Sequence, residues 1–375
     1  MDNNGSYQFY NGDFYYGAGG WNDYTLDDER RAKSIFSRFF LSLFIYTIVA
    51  NAVAIIAQVV VVLTGKDAAA SILNSAWFVW GVNVLAMYVI AFPVLYLIVR
   101  GMRSVARTKR TMRASEFFVL LLVGEAFMYV GNIVGTFLND IFGAFMGGEI
   151  ENTTSELIES SPIWMILIVA VILGPIVEEL IFRKLMMDKL GIYGDRMAIV
   201  VSSIAFGIFH GNFYQLFYAT LLGLVLGYIY AKTSNIIYPI LLHMIMNFWG
   251  SVVPMLMMDH INNVEKFYNE YYDAMLEGGE LAAGLDIAPY YVSILLLGLY
   301  SIIQMGMVIA GLIIFFKKRR KIFVSDRCEV TIPKHRRAGV VMGNVGAILF
   351  AVIAGLTMLL NIVSPILEKL AAAAG

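Results

Sequence analysis

The amino-acid sequence predicts an all-α protein, a polytopic bundle of about nine transmembrane helices. Of its 375 residues, 59% are hydrophobic and only 15% are charged, and the mean hydropathy is +0.72. These values are far more apolar than those of an ordinary soluble domain. Runs of about 20 apolar residues recur along the chain, which is the length that a helix needs to cross a hydrocarbon core of ~30 Å.

The predicted spans are 38–63, 72–99, 116–146, 162–182, 197–211, 215–231, 235–257, 288–316 and 339–363. The turns that would separate the fifth, sixth and seventh spans are short, so the number of helices in this part stays open. No internal repeat or long linker divides the chain, and we expect a single transmembrane domain over residues 34–375. The polar, glycine-rich residues 1–33 are predicted to form a disordered tail.

The distribution of basic residues predicts the orientation of the bundle. If the N-terminus is cytoplasmic, all but three of the 27 Lys and Arg residues fall in cytoplasmic segments, the exceptions being Lys66, Lys266 and Lys369. The positive-inside rule therefore favours a multi-pass protein of the cell membrane with a cytoplasmic N-terminus and contacts to membrane lipids. The formal net charge of -1 argues against a nucleic-acid partner, because a nucleic-acid-binding surface needs a basic excess.

Three charged residues lie close together at the end of the fourth predicted span. Glu178 and Glu179 are adjacent, so their side chains point about 100° apart and are expected to differ in environment. Glu179 and Arg183 are four residues apart and share a helix face, which predicts a structural ion pair. Glu178 is then left to face the bundle interior as a candidate general base. A charged group within a span is costly, so each one needs a partner or a role.

Further polar residues lie in the fifth and seventh predicted spans. His210 follows Phe206 by four residues, and His243 and Asn247 are placed on one face of their helix. Taken singly, a histidine within the membrane indicates a hydrogen bond between helices. Together with Glu178, the two histidines and Asn247 indicate a shared polar site near the middle of the membrane. Phe206 either packs against this site or faces lipid.

These motifs resemble those of the CAAX-protease and bacteriocin-processing family of intramembrane proteases, also called the abortive-infection family. The Glu-Glu-x-x-x-Arg pattern lies at residues 178–183, Phe-x-x-x-His at 206–210 and His-x-x-x-Asn at 243–247. Gly223, Gly227 and the turn at residues 233–235 resemble the glycine-containing third motif, with Ser234 where a glycine is commoner. A Gly-x-x-x-Gly pair also allows neighbouring helices to approach closely. The resemblance covers about residues 162–250 and implies a catalytic core at about 162–257.

The resemblance implies an endopeptidase in which Glu178 and His210 activate a water molecule, while His243 and Asn247 stabilise the oxyanion. Glu179 and Arg183 are implied to support the site. A zinc ion held by Glu178, His210 and His243 is the alternative to metal-free catalysis, so the expected cofactor is none or zinc. The expected partner is a peptide or protein substrate, which could be lipidated or membrane-anchored.

Two other functions fit the same features. A catalytically silent scaffold or immunity protein would keep the bundle and its motifs but bind a partner instead. A proton-coupled carrier would also place Glu and His residues within the membrane. Against a carrier, the two halves of the chain do not show a matching pair of broken helices.

Overall fold

The computed structural model describes residues 8–10, 13–15, 24–146, 150, 152–276, 288–321, 324 and 328–374. Within this described part, eight helices are long and apolar enough to cross a membrane. The predicted all-α multi-pass membrane bundle is therefore confirmed, with eight spanning helices where about nine were expected. Most of the predicted tail over residues 1–33 lies outside the described residues. Its described portion includes a short antiparallel hairpin of β1 (Gln8–Tyr10) and β2 (Asp13–Tyr15).

The helices follow the chain in a simple order, and most connections between them are short. They are α1 Leu26–Val62, α2 Lys66–Leu73, α3 Ala76–Val99, α4 Ala114–Met146, α5 Thr153–Glu159, α6 Ile163–Tyr193, α7 Asp195–Phe209, α8 Phe213–Thr233, α9 Ile237–Leu256, α10 Met258–Leu276, α11 Ala288–Lys318, α12 Lys334–Val341 and α13 Val345–Ala374. Three of them contain π-helical segments, namely Val84–Ala91 in α3, Ile166–Leu173 and Leu180–Met187 in α6, and Phe248–Val252 in α9.

The first helix begins inside the segment that was predicted to be disordered. Thr25 and Asp28 form a reciprocal cap, in which the Thr25 side-chain oxygen accepts from the Asp28 backbone N–H at 3.1 Å. The Asp28 carboxylate in turn accepts from the Thr25 backbone N–H at 3.0 Å. This capping box satisfies N–H groups that the first turn would otherwise leave unpaired. Residues 26–33 are therefore helical, and the predicted tail boundary at residue 33 is too late.

The fifth predicted span, 197–211, is not among the helices of the described residues that are long enough to cross a membrane. Its helix α7 has 15 residues, which gives a length of about 22 Å at 1.5 Å per residue. That is shorter than the ~30 Å hydrocarbon core, and it explains why the count of spanning helices is eight. The helix starts at Asp195, whose carboxylate is bound to Arg107. It therefore begins at a polar edge of the bundle and ends at Phe209 in apolar surroundings.

A buried ion cluster fixes the turn between α6 and α7. Arg107, from the segment between α3 and α4, donates from Nε to Asp188 at 2.8 Å and from Nη2 to Asp195 at 2.7 Å. The Tyr230 hydroxyl also donates to Asp188, at 2.9 Å. Burial alone would lower the pKa of Arg107, but the charges of Asp195 and Asp188 more than offset it and raise that pKa. The cluster holds the end of α6, the start of α7 and α8 together.

Glycines allow α7 and α8 to pack closely, as the Gly-x-x-x-Gly pair predicted. A Cβ atom at Gly223 would lie 3.0 Å from Ser203 Cα, and one at Gly227 would lie 3.2 Å from Ile199 Cγ2. On α7, a Cβ atom at Gly207 would overlap the Thr220 hydroxyl and a backbone carbonyl of α8. The backbones of α7 and α8 can therefore approach this closely only because these three glycines carry no side chains.

We expect Gly207→Ala to destabilise the protein by about 1–3 kcal/mol, because the added methyl group has no space against α8. The matched control is Gly298→Ala in α11, where a Cβ atom would meet nothing within 4 Å. Thermal unfolding in detergent measures both variants. A melting temperature for Gly207→Ala at or above that of Gly298→Ala would show that the contact between α7 and α8 has space for a methyl group at residue 207.

Candidate active site

The two adjacent glutamates lie on a short α-helical stretch of α6 between two π-helical segments. This stretch, Gly174–Glu179, follows the segment Ile166–Leu173 and precedes Leu180–Met187. Pro175 lacks a backbone N–H and cannot complete the hydrogen bond of the preceding turn. Changes of helical pitch of this kind often accompany functional sites, because they re-aim the side chains around them.

The ion pair that the sequence spacing indicated is present in the structure. Arg183 Nε lies 3.1 Å from Glu179 Oε2, and both side chains are fully buried. The Arg183 guanidinium also lies over the Phe206 ring, with its Cζ atom 5.1 Å from the ring centroid. Its Nη1 and Nη2 atoms have no hydrogen-bond partner within the described residues. The charge of Arg183 is therefore balanced mainly by Glu179.

The imidazole of His243 lies between the two glutamates. Its Nδ1 atom is 3.1 Å from Glu179 Oε1, and its Nε2 atom is 3.7 Å from Glu178 Oε2. The expectation that Glu178 and Glu179 would occupy separate environments is wrong in this respect. Adjacent side chains that point about 100° apart can flank a flat ring that enters from another helix, here α9. The two carboxylates differ instead in burial, because Glu178 remains 18% exposed and Glu179 is fully buried.

Phe206 packs against both histidines. Its ring centroid is 4.9 Å from that of His210 and 5.6 Å from that of His243, each in an edge-to-face arrangement. The Phe206 side chain is 1% exposed, so it does not face lipid. Through this one ring, the end of α7 is packed against the ion pair of α6 and against His243 of α9.

His210 comes directly after the last residue of α7. It is followed by Gly211, whose φ of 67° lies in the left-handed region that favours glycine. The Gly211 carbonyl accepts a hydrogen bond of 2.9 Å from Asn361 Nδ2 of α13. The Phe206 ring links His210 to His243, since it makes edge-to-face contacts with both imidazoles. The structure thus brings His210 to the same cluster, with Phe206 as its closest described ring contact.

Asn247 makes a different contact from the one that its spacing suggested. Its side-chain Nδ2 donates to the Ala170 backbone carbonyl of α6 at 2.8 Å. His243 and Asn247 do share a face of α9, but only the His243 ring contacts the two glutamates. The Asn247 contact ties α9 to the first π-helical segment of α6, and it leaves one side-chain N–H and the carbonyl oxygen of Asn247 for other partners.

Sequence reasoning missed a further buried carboxylate, that of Glu125 on α4. Gln304 on α11 donates to Glu125 Oε1 at 2.6 Å, and the Trp249 indole N–H donates to Gln304 Oε1 at 2.5 Å. An indole N–H can only donate, so it fixes which end of the Gln304 amide faces Glu125. The signal was available, because Glu125 interrupts an apolar run within the third predicted span.

The arrangement does not fit a metal ion. Within the described residues, no three His, Cys, Asp or Glu side chains are grouped so that they could hold one. A catalytic zinc site needs three protein ligands at about 2 Å from the ion. His243 Nδ1 is engaged by Glu179, so this ring has only its Nε2 atom to offer as a ligand. The side chains of Glu178, His210 and His243 are therefore not placed as a metal site.

We expect Arg183→Met to destabilise the protein by about 3–5 kcal/mol, because it leaves the fully buried Glu179 without its counter-ion. The double variant Glu179→Gln/Arg183→Met removes both charges and should recover part of this loss. Thermal unfolding in detergent measures both. An Arg183→Met protein as stable as the wild type would contradict the buried pairing.

Comparison with known proteins identifies the segment that carries the motifs. Residues 160–249 match the family described as "Type II CAAX prenyl endopeptidase Rce1-like". The chain is 34% identical over 124 residues to "Putative membrane peptidase YdiL" of Bacillus subtilis, a match over 32% of this chain and 49% of YdiL.

It is also 26% identical over 176 residues to "Membrane-embedded CAAX protease MroQ" of Staphylococcus aureus, over 44% of this chain and 69% of MroQ. The chain thus spans about half the length of the first of these relatives and about two thirds of the second. No solved structure matches the chain significantly. The family resemblance of the motifs is confirmed, since residues 160–249 of this chain match the model of the Rce1-like family of CAAX prenyl endopeptidases.

Proposed function

We propose that this protein is an intramembrane endopeptidase that hydrolyses a peptide bond beside Glu178. The observation that carries the proposal is the buried chain of contacts from Arg183 through Glu179 and His243 to Glu178. A carboxylate and an imidazole at the centre of a membrane-spanning bundle cost free energy, so their presence there indicates a functional role. The match to the Rce1-like family supports a peptidase over a silent scaffold or a carrier.

In the proposed mechanism, Glu178 is the general base. It is the more exposed of the two carboxylates, so a water molecule can reach it, while Glu179 is sealed off. Glu178, aided by His210, takes a proton from the water as its oxygen bonds to the peptide carbonyl carbon. The same proton then passes to the leaving nitrogen as the carbon–nitrogen bond breaks.

Glu179 acts through His243 in this proposal. A carboxylate can only accept, so its contact with Nδ1 favours the tautomer in which that nitrogen carries the proton. The ring is then held with Nε2 on the side of Glu178, next to the reacting groups. Arg183 balances the charge of Glu179 and keeps this carboxylate in place. Substitution of Arg183, Glu179 or His243 is therefore expected to disturb the positions of the other two side chains.

His243 and Asn247 are proposed to stabilise the oxyanion, as the family resemblance implies. The Asn247 amide retains one N–H beyond its bond to Ala170 and can supply a neutral donor.

The catalytic core is proposed to be about residues 162–257, within a single membrane domain over 34–375 whose N-terminus is cytoplasmic. The proposed substrate is a peptide or protein, and a lipidated C-terminal segment or a membrane-anchored regulator would each place a peptide bond at this depth.

We expect Glu178→Gln and His210→Ala to lower peptide cleavage by about 10²–10⁴-fold, because each removes part of the proton transfer. Both proteins should still insert into the membrane. Glu125→Gln is the matched control, since it alters a buried carboxylate that is hydrogen-bonded to Gln304 and not to a proposed catalytic residue. Cleavage by Glu178→Gln at the rate of the Glu125→Gln protein would refute the proposed base.

We also expect purified protein to cleave members of a peptide library equally well with and without a metal chelator. The reason is that the described side chains do not group into a metal site. Mass spectrometry of the products gives activity, cleavage preference and metal requirement together. Loss of all cleavage in chelator, restored by added zinc, would instead support the zinc alternative.

A further inference from the structure

Two tyrosines from outside the Rce1-like segment border the candidate active site. Tyr46 lies on α1 and Tyr88 lies in the π-helical segment of α3. The Tyr46 side chain is 2% exposed, and its ring centroid lies 5.1 Å from that of Phe209. Phe209 directly precedes His210, so Tyr46 is packed beside the end of α7 where that histidine is held.

Tyr88 reaches the face of α6 that carries Glu178. A Cβ atom at Gly174 would lie 3.3 Å from the Tyr88 hydroxyl oxygen. Gly174 and Glu178 are four residues apart and therefore lie on the same face of their helical turn. The hydroxyl of Tyr88 is thus about one helical turn, ~5 Å, from the level of Glu178. The absence of a side chain at Gly174 is what leaves room for this hydroxyl.

The two phenols and Glu178 form one electrostatic group. The charge of Glu178 acts on both Tyr46 and Tyr88, and Tyr88 also acts on Tyr46. Within the described residues, neither hydroxyl has a hydrogen bond to the protein, and neither is among the fully buried polar atoms that lack a partner. A phenol hydroxyl in apolar surroundings usually has a partner, because an unpaired one costs free energy. Each hydroxyl is therefore open to a partner that the chain does not supply, namely water or bound substrate.

We propose that Tyr46 and Tyr88, the tyrosine pair, are catalytic residues that donate hydrogen bonds to the carbonyl oxygen of the scissile peptide bond. This inference rests on the proposed function and adds residues from α1 and α3 to its site. One N–H of Asn247 is already bound to Ala170, so the α9 side offers few neutral donors to an oxyanion. The phenols supply such donors from α1 and α3.

The chemistry of the proposed step leaves the phenols unchanged. As the water oxygen bonds to the carbonyl carbon, the carbonyl π electrons move to its oxygen, which becomes an oxyanion. The tyrosine pair donates to that oxygen and keeps its protons throughout. When the carbon–nitrogen bond breaks, the electrons return from the oxygen, and the amine receives its proton from Glu178. The pair thus binds the transition state more tightly than the ground state.

The first test compares cleavage by Tyr46→Phe and Tyr88→Phe, which remove only the hydroxyl oxygens. We expect each to lower kcat by about 10²-fold with KM and thermal stability nearly unchanged, the behaviour of a lost oxyanion donor. Tyr96→Phe is the matched control, since Tyr96 lies on the same helix α3 and is 46% exposed. If both Phe variants keep kcat within threefold of the Tyr96→Phe protein, the proposal is overturned.

A second test does not depend on turnover. In the Glu178→Gln background, binding of a peptide phosphinate, which mimics the tetrahedral oxyanion, is compared with binding of the uncleaved amide peptide. Adding Tyr88→Phe should weaken phosphinate binding by about 10²-fold and amide binding by less than threefold. Equal losses for both ligands, or no loss for the phosphinate, would overturn the role of the pair. Full cleavage by Glu178→Gln alone would instead overturn the proposed function.

Discussion

The imidazole of His243 lies between two carboxylates inside an apolar helix bundle, and the rest of the site depends on how those charges are balanced. Glu179 is held by Arg183 on one side and by His243 on the other. Each of these groups would be costly alone in a membrane, since neither lipid nor water would compensate it. The charges of these linked side chains compensate one another. Glu178 lies at the end of this series of contacts that solvent can reach.

Two features of the scaffold bring these residues together. Helix α7 is short, and glycines let it pack closely against α8. Helix α7 ends within the apolar part of the bundle, so His210 and the turn after it lie at the depth of the cluster instead of at a surface. Glycines on α7 and α8 allow their backbones to approach, and the Arg107 cluster fixes the connection from α6 to α7. Phe206 then fills the space between the two imidazoles. Precise placement of the polar groups therefore follows from small residues and from one buried ring.

Local features of the sequence were sufficient to predict the bundle, most of its spans and the pairing of Glu179 with Arg183, because these depend on composition and on i, i+4 spacing. The position of His243 between both glutamates could not be predicted, since it depends on how α9 is rotated against α6. The length of α7 was predicted correctly at 15 residues, but the segment was wrongly counted as a full span because the apolar run continues past the helix end into a turn. Tyr46 and Tyr88 were missed because tyrosines in apolar spans resemble ordinary lipid-facing or interfacial residues.

The most direct measurement is an experimental structure, in lipid nanodiscs, of the inactive Glu178→Gln variant with an uncleaved peptide bound. We expect the scissile carbonyl carbon to lie beside residue 178 and His210, with His243 still in contact with Glu179 and the carbonyl oxygen within hydrogen-bond distance of a donor on α9 or α3. A peptide bound elsewhere, with residue 178 turned toward the acyl chains and His243 separated from Glu179, would contradict the proposed active site.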